Sequence, residues 1–519
     1  MRTALAAAPS TTPVAEVVTI PAPIGGWNAR DALALMPQTD AETMVNWFPE
    51  ATYVQTRPGS DTWFNNFSGQ VESILSYTGS VLQLFVVADG RIHNATVSGS
   101  ASASLLMLSG LANSRFQYTN FATPGGTFMP IVNGSGTPYL FNGTNFSAMN
   151  ITLSASLSAG VKNSFVDVYG FAQRLFFIPN TGRDFYYMDQ VEAIAGSATR
   201  YPLGSLLNLG GNILTVASWT RDGGDGMDDY AVFITDQGEV AVYTGTDPSS
   251  TTNWALQGIY RIPKPLGRRC YQKMGGDLII NTEGGAYPMS IVLSGMQPQS
   301  LVTDKIYPVI ADSVRSYRSN YGWQLKYWPL GHWLILNVPV KEGSKQEQYV
   351  MNTNTGAWCR FTGLTANCWE IFDNKLFFGA NGKLVQADTG SSDDGTNIDI
   401  DCKQAPSNFG WPGFKSFKLI RPFINSDNTT PIAVGLNFDF SNRSPVSTPT
   451  PDVTGIPYWG IATWSDPSYQ WAGAPVPQGN ISSAGGGGIY AAMRIKGAVN
   501  LDNLQWNATQ IVFERGSLV

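Results

Sequence analysis

The chain has 519 residues, of which 12% are aromatic and only 13% charged, with 54 Gly and a formal net charge of −6. Abundant rings with little charge exclude a disordered chain. The acidic balance argues against a protein that grips nucleic acid through clustered Lys and Arg, though not against a wall that DNA merely slides past.

Residues 1–20 are rich in Ala, Pro and Thr and are expected to form a flexible arm. Pro9 ends the Ala-rich run before it reaches signal-peptide length. No stretch of about 18 apolar residues occurs, so no membrane span is expected. In the N-terminal segment 21–65, Asp40 is suited to cap a short helix near Asp40–Asn46.

From 66 to 395 one pattern recurs: an apolar strand, a glycine-containing turn, a second strand. The turns fall at Gly90, near Gly134 and Gly136, at Gly182, Gly238 and Gly284, near Gly343, and at Gly382. Their spacing of roughly 40–60 residues is a blade period. It predicts an irregular β-propeller of six to seven blades, a radial design that limits open sheet edges. No WD or kelch signature accompanies it. Beyond 395 the polar run SSDDGTNID reads as a linker. FKSFKLIRPFINS, IAVGLNFDFSN, IYAAMRIKGAV and WNATQIVFERGS then read as alternating strands. They predict a C-terminal β-sandwich docking domain over 396–519, with long loops at 443–488 that include the glycine run 485–488. The fold class is therefore all-β.

The chemistry is sparse. Cys270, Cys359, Cys368 and Cys402 form no CxxC pair and read as buried thiols; a Cys359–Cys368 hairpin disulfide is the minor alternative. A Ser-His-Asp triad would need His93 or His332. His93 adjoins a turn, and His332 sits among aromatics, where packing is the expected role. No GxSxG, HExxH or P-loop pattern is present. The loop RDGGDGMDDY places Asp222, Asp225 and Asp228 close together, either as a Ca²⁺ site or as a solvated acidic loop; the spacing is not that of an EF-hand. Asp277, Glu283 and Glu370 are candidate glycosidase carboxylates, but nothing pairs them. GTDPSSTTNW at 245–254 resembles an Asp-box turn without its core and reads as structural. Arg268–Arg269 is an isolated basic pair, suited to DNA or to an acid on a neighbouring subunit.

NWFPE (46–50) followed by RPG (57–59), the run 243–290 from YTGTDPSSTTNW to GGAYPMS, and the ending NATQIVFERGSLV carry a likeness. They resemble the tail nozzle, or packaged-DNA-stabilisation, proteins of short-tailed bacteriophages. The likeness extends along nearly the whole chain as organisation plus these local motifs. It implies a virion structural protein, not an enzyme, with no cofactor, assembled in the host cytoplasm. Six copies would form a ring below the adaptor ring, retain and then conduct genomic double-stranded DNA, and dock fibres or spikes. Flexibility and charge make Gly223, Gly224, Asp225 and Gly226 the candidate gate loop of that channel. The competing readings are a receptor-binding tail spike and a carbohydrate-directed propeller.

Overall fold

A computed structural model describes residues 15–153, 159–222, 227–293, 301–426, 432–445, 476–478, 481–500 and 503–516. The chain divides into two compact units. One comprises Pro58–Gly356 and Arg360–Gly395; the other comprises Met1–Arg57, Ala357–Cys359 and Thr396–Val519.

The first unit is a β-propeller. Among the described residues it has seven blades, antiparallel apart from short parallel pairings in blades 3 and 7, and each expected glycine turn lies in a blade of its own. Blade 1 begins with Val71–Thr78, blade 2 with Gln117–Tyr118 and blade 3 with Phe165–Phe171. Blades 4, 5 and 6 begin with Ile213–Asp222, Tyr271–Met274 and Gln324–Trp328. Blade 7 is built from Cys368–Phe372, Lys375–Gly379 and Leu384–Ala387, and its outer strand comes from the start of the unit: Ser60–Asn65 pairs antiparallel with Leu384–Ala387. The first strands of successive blades pack around one axis, and Cys368–Phe372 meets Val71–Thr78 to close the circle.

The core sits between blades. Phe176, Phe185, Phe233, Tyr243 and Trp254 fill the gap between blades 3 and 4. Phe185 stacks on Phe233 at 4.4 Å, and Tyr243 on Trp254 at 5.1 Å. Ring pairs in such geometry add about 0.5–1.5 kcal/mol each beyond their buried area. The high aromatic content is thus explained by wedge-shaped gaps that large rings fill. Turn chemistry fixes the strand ends. At Gly238, φ is +87° and a Cβ would stand 2.1 Å from the Ile262 carbonyl oxygen, so no side chain fits.

Ring closure is reinforced electrostatically. Asp394 accepts from the Thr62 amide and hydroxyl, both at 2.5 Å, and from the Lys383 ammonium. Burial pushes the Asp394 carboxyl up, but Lys383 and Thr62 outweigh it and hold the group below the ordinary carboxylate value. A depressed folded pKa contributes stability that is complete above the unfolded value of about 3.9 and is lost as pH falls through the lower folded value. Asp394→Asn is therefore expected to be less stable than wild type in urea at pH 7, with a smaller gap near pH 3, below the unfolded value of about 3.9. An equal gap at both pH values would rule out this role for the ionised carboxylate.

The second unit contains two sheets among the described residues. In one, Gln505–Arg515 pairs on one side with Lys415–Ser426 and on the other with Ala15–Pro21 along residues 508–514 and with Val54–Gln55 at residues 505–506. In the other, Asp40–Val45, Ile398–Gln404, Ala491–Val499 and Ile432–Phe438 lie in that order. The four C-terminal strands read from the sequence are all present.

Several expectations are corrected. The propeller unit starts at Pro58 instead of 66, and residues up to Arg57 belong with the C-terminal residues. Ala15–Pro21 is a paired strand, not part of a free arm; residues 1–14 lie outside the described set. Asp40 starts a strand, not a helix, because its carboxylate accepts from Asn28 Nδ2 at 2.8 Å and Ala41–Val45 pairs with residues 401–404. The polar run at 391–399 ends inside the strand Ile398–Gln404. The glycine run is the strand Ser482–Gly488, paired with Lys415–Ile420. A Cβ at Gly486 would lie 2.2 Å from the Phe438 ring, and one at Gly487 2.4 Å from Phe414. Bare backbone is what lets those rings pack there. Most of 443–488 lies outside the described residues.

Candidate functional site

The propeller axis offers two cavities, of about 440 Å³ and about 330 Å³, with Arg268 and Arg269 lining both. This pair is the waist between them. It lies just before the first strand of blade 5, where consecutive side chains of extended backbone point to opposite sides. Arg268 turns toward blades 3 and 4, donating to Leu214 O at 3.2 Å and Asn180 Oδ1 at 2.9 Å. Arg269 turns toward blades 1 and 2, donating to Glu72 O at 3.2 Å, Ser73 Oγ at 2.9 Å and Phe116 O at 3.2 Å.

The larger cavity also has Arg115, Arg318 and Tyr321 in its wall. Arg115 bonds Glu72 at 2.9 Å and Glu342 at 2.6 Å and lies 4.0 Å from the centre of the Tyr321 ring. Arg318 pairs with Glu283 at 3.0 Å. In the smaller cavity, Lys326 pairs with Glu370 at 2.5 Å. Asp167 accepts from Thr215 Oγ1 at 2.7 Å and the Val216 amide at 3.1 Å. Burial pushes its carboxyl above the ordinary value despite those bonds.

These groups do not form an activated nucleophile. Burial pushes the Cys368 thiol up to about 11, although the Arg269 charge nearby opposes it. Cys270 is pushed up to about 12, also by burial. Both stay thiols at neutral pH. All four cysteines are buried and none is in a disulfide, so the Cys359–Cys368 bridge does not form.

The residues singled out in the sequence are dispersed. Asp222 and Asp228 belong to the strands of one blade 4 hairpin, in register with Met227 and Arg221. Asp225 and the candidate gate loop Gly223, Gly224, Asp225 and Gly226 lie outside the described residues. Among the described residues, no group of three or more His, Cys, Asp and Glu side chains is placed to hold a metal. Asp277 accepts from the Ser290 amide and hydroxyl, while Glu283 and Glu370 are tied to Arg318 and Lys326; the three do not converge. His93 lies on Arg91–Asn94, away from the axis, with its ring 5.6 Å from that of Phe67. His332 is exposed in a turn with φ +55°, not packed in a core: the turn carries its side chain outward. Asp247 behaves as a structural turn residue, accepting from Ser249 Oγ at 2.8 Å. Arg268 and Arg269 each bond within their own chain, at Leu214 O and Ser73 Oγ. Arg115, Arg318, Tyr321 and Asn180 had no local signal in the sequence; only blade topology brings them together.

No helix of the described residues is long and apolar enough to cross a membrane. No family model matches the chain, and no curated protein matches it. Among solved structures, the chain is similar to BBS1N from its complex with ARL6DN, at 11% identity and a TM-score of 0.42, over 65% of this chain and 99% of that one. It is also similar to an exo-β-1,3-galactanase from Phanerochaete chrysosporium, at 12% identity and a TM-score of 0.28, over 76% and 95% of the two chains. At such scores the seven blades rest on the strand pairing itself, and nothing of those proteins' activities transfers.

Proposed function

We propose that the chain is a non-enzymatic structural subunit of the tail nozzle of a short-tailed bacteriophage. Six copies form a ring below the adaptor ring, conduct genomic double-stranded DNA and dock fibres or spikes. One observation carries the reading. Two of the three motifs that resemble the nozzle family, far apart in sequence, build one structural feature, while the third, 243–290, lies in blades 4 and 5 of the propeller. Trp47–Pro49 and Val54–Thr56, from the NWFPE and RPG region, join the same sheet as Gln505–Arg515, from the C-terminal motif. Trp47 and Trp506 meet edge to face at 6.2 Å with no exposed surface, and Arg57 Nε donates to Asn46 Oδ1 at 3.0 Å. Residues shared with a family for this reason are framework, as expected of a protein whose role is assembly.

DNA does not thread the propeller in this reading. Axial cavities of a few hundred Å³ suit a small ligand, not a duplex. The channel is the space enclosed by the ring, which heterologous head-to-tail contacts would close. The test is the mass of the purified protein by light scattering, alone and mixed with tailless capsids, followed by negative-stain imaging. A six-membered ring, free or at the portal vertex, is the expected result. A monomer or trimer that ignores capsids overturns the reading and makes glycan binding the next measurement.

A further inference from the structure

The larger axial cavity has an electrostatic property that a framework role does not need. Four arginines line it, and no Asp or Glu does, in a chain with more acidic than basic residues overall. Arg115 and Arg318 are neutralised by Glu72, Glu342 and Glu283. Arg268 and Arg269 make no ion pair: among the described residues neither has a carboxylate within ion-pair distance and the acceptors they bond are neutral, although Asp167 and Asp236 act on Arg268, and Glu370 on Arg269, through space. Of the five N–H donors of a guanidinium, Arg268 uses two. Burial pulls its pKa below the ordinary guanidinium value, the mark of a cation poorly served by solvent. Asn113, Asn133 and Asn180 also line the cavity and supply polar side chains around the charge.

We propose that this cavity binds a small molecule through its carboxylate or phosphate group, with Arg268 donating to the oxyanion. A planar guanidinium fork matches either group with two parallel bonds, and such charge-assisted bonds strengthen where water is scarce. Arg269 adds a second positive charge from the waist. The volume fits a small ligand, and Trp323 and Val166 add apolar surface to the wall around its body.

The test uses the full chain in low-salt buffer, titrated calorimetrically with inorganic phosphate and, separately, with malonate. Saturable one-to-one binding of at least one probe is expected, together with a rise in melting temperature absent at matched ionic strength in chloride. The probe that binds more tightly identifies the source of the oxyanion. Arg268→Gln is expected to weaken binding roughly tenfold or more, the scale of a lost charge-assisted bond. Should that variant misfold, Asn180→Asp decides. It replaces a neutral acceptor 2.9 Å from Arg268 with a built-in carboxylate, which competes with the ligand while holding the arginine in place. Loss of binding with an undiminished melting temperature supports the site. Saturable binding of neither probe, or wild-type affinity in Asn180→Asp, overturns it.

Discussion

Replacing Trp506 with alanine is expected to destabilise the unit formed by the two chain ends by about 3–5 kcal/mol, the usual cost of emptying a large ring from a core. Trp506 has no exposed surface, and its indole N–H donates to Thr509 Oγ1 at 3.0 Å and Ala508 O at 3.2 Å. Its ring also packs against Trp47, itself without exposed surface. Alanine would leave a cavity beside Trp47 and remove the donor from a fully buried Thr509. Both effects act at the point where Gln505–Trp506 pairs with Val54–Gln55, so the strand that joins the two ends of the chain loses its anchor. Trp506→Phe keeps part of the ring and forfeits the hydrogen bonds, so it should fall between wild type and alanine. Calorimetric scans of the three proteins give the order, with a fall of about 10 °C expected for the alanine variant. A wild-type transition in Trp506→Ala would show that the two motifs are neighbours without being a joint.

The repeat was legible because each blade contains one local hairpin whose turn demands glycine. Gly90, Gly182, Gly238 and Gly382 all have positive φ, and their flanking strands pair in the register that alternation implies. At the hairpin read at Gly284, the positive-φ residue is its neighbour Gly285, an offset of one that left the blade count untouched. What could not be read locally was anything made by distant partners. Ser60–Asn65 carries no turn to its partner, since Leu384–Ala387 lies far along the chain. Asp40–Val45 has a capping residue at its start, yet pairing with Ile398–Gln404 overrides that preference. The glycine strand is unreadable for the opposite reason: its sequence has no pattern, and its place is set by Phe414 and Phe438. The axial site follows the same rule. Arg268–Arg269 was visible as a pair, but its meaning depends on Asn180 and Tyr321, which arrive from blade 3 and from the approach to blade 6.

Removing the ring of Phe64 should open the propeller. Phe64 is 1% exposed, stacks on Phe67 at 5.3 Å and belongs to a cluster with Val71, Phe377 and Leu384 that fills the gap between blades 7 and 1. It stands directly across from Leu384 in the pair that closes the circle. The other blades are held by hairpins whose strands follow one another, and a damaged contact there can re-form locally. The closing strand has no such help. Its pairing must overcome the entropy of joining segments separated by nearly the whole unit, and that cost is borne by a short strand and the side chains beneath it. Phe64→Ala is expected to cost about 3–5 kcal/mol through the lost ring and its cavity. Release of Ser60–Asn65 would also bare the edge of Leu384–Ala387, an unpaired template for association. The variant should therefore show both a lowered melting temperature and concentration-dependent association in size exclusion. Phe64→Leu keeps most of the apolar volume and should restore the size-exclusion profile before it restores full stability. If Phe64→Ala melts lower but stays unassociated at every concentration, the closing strand remains docked without its ring, and hydrogen bonding with the Asp394 clasp, more than the buried aromatic, keeps the circle shut.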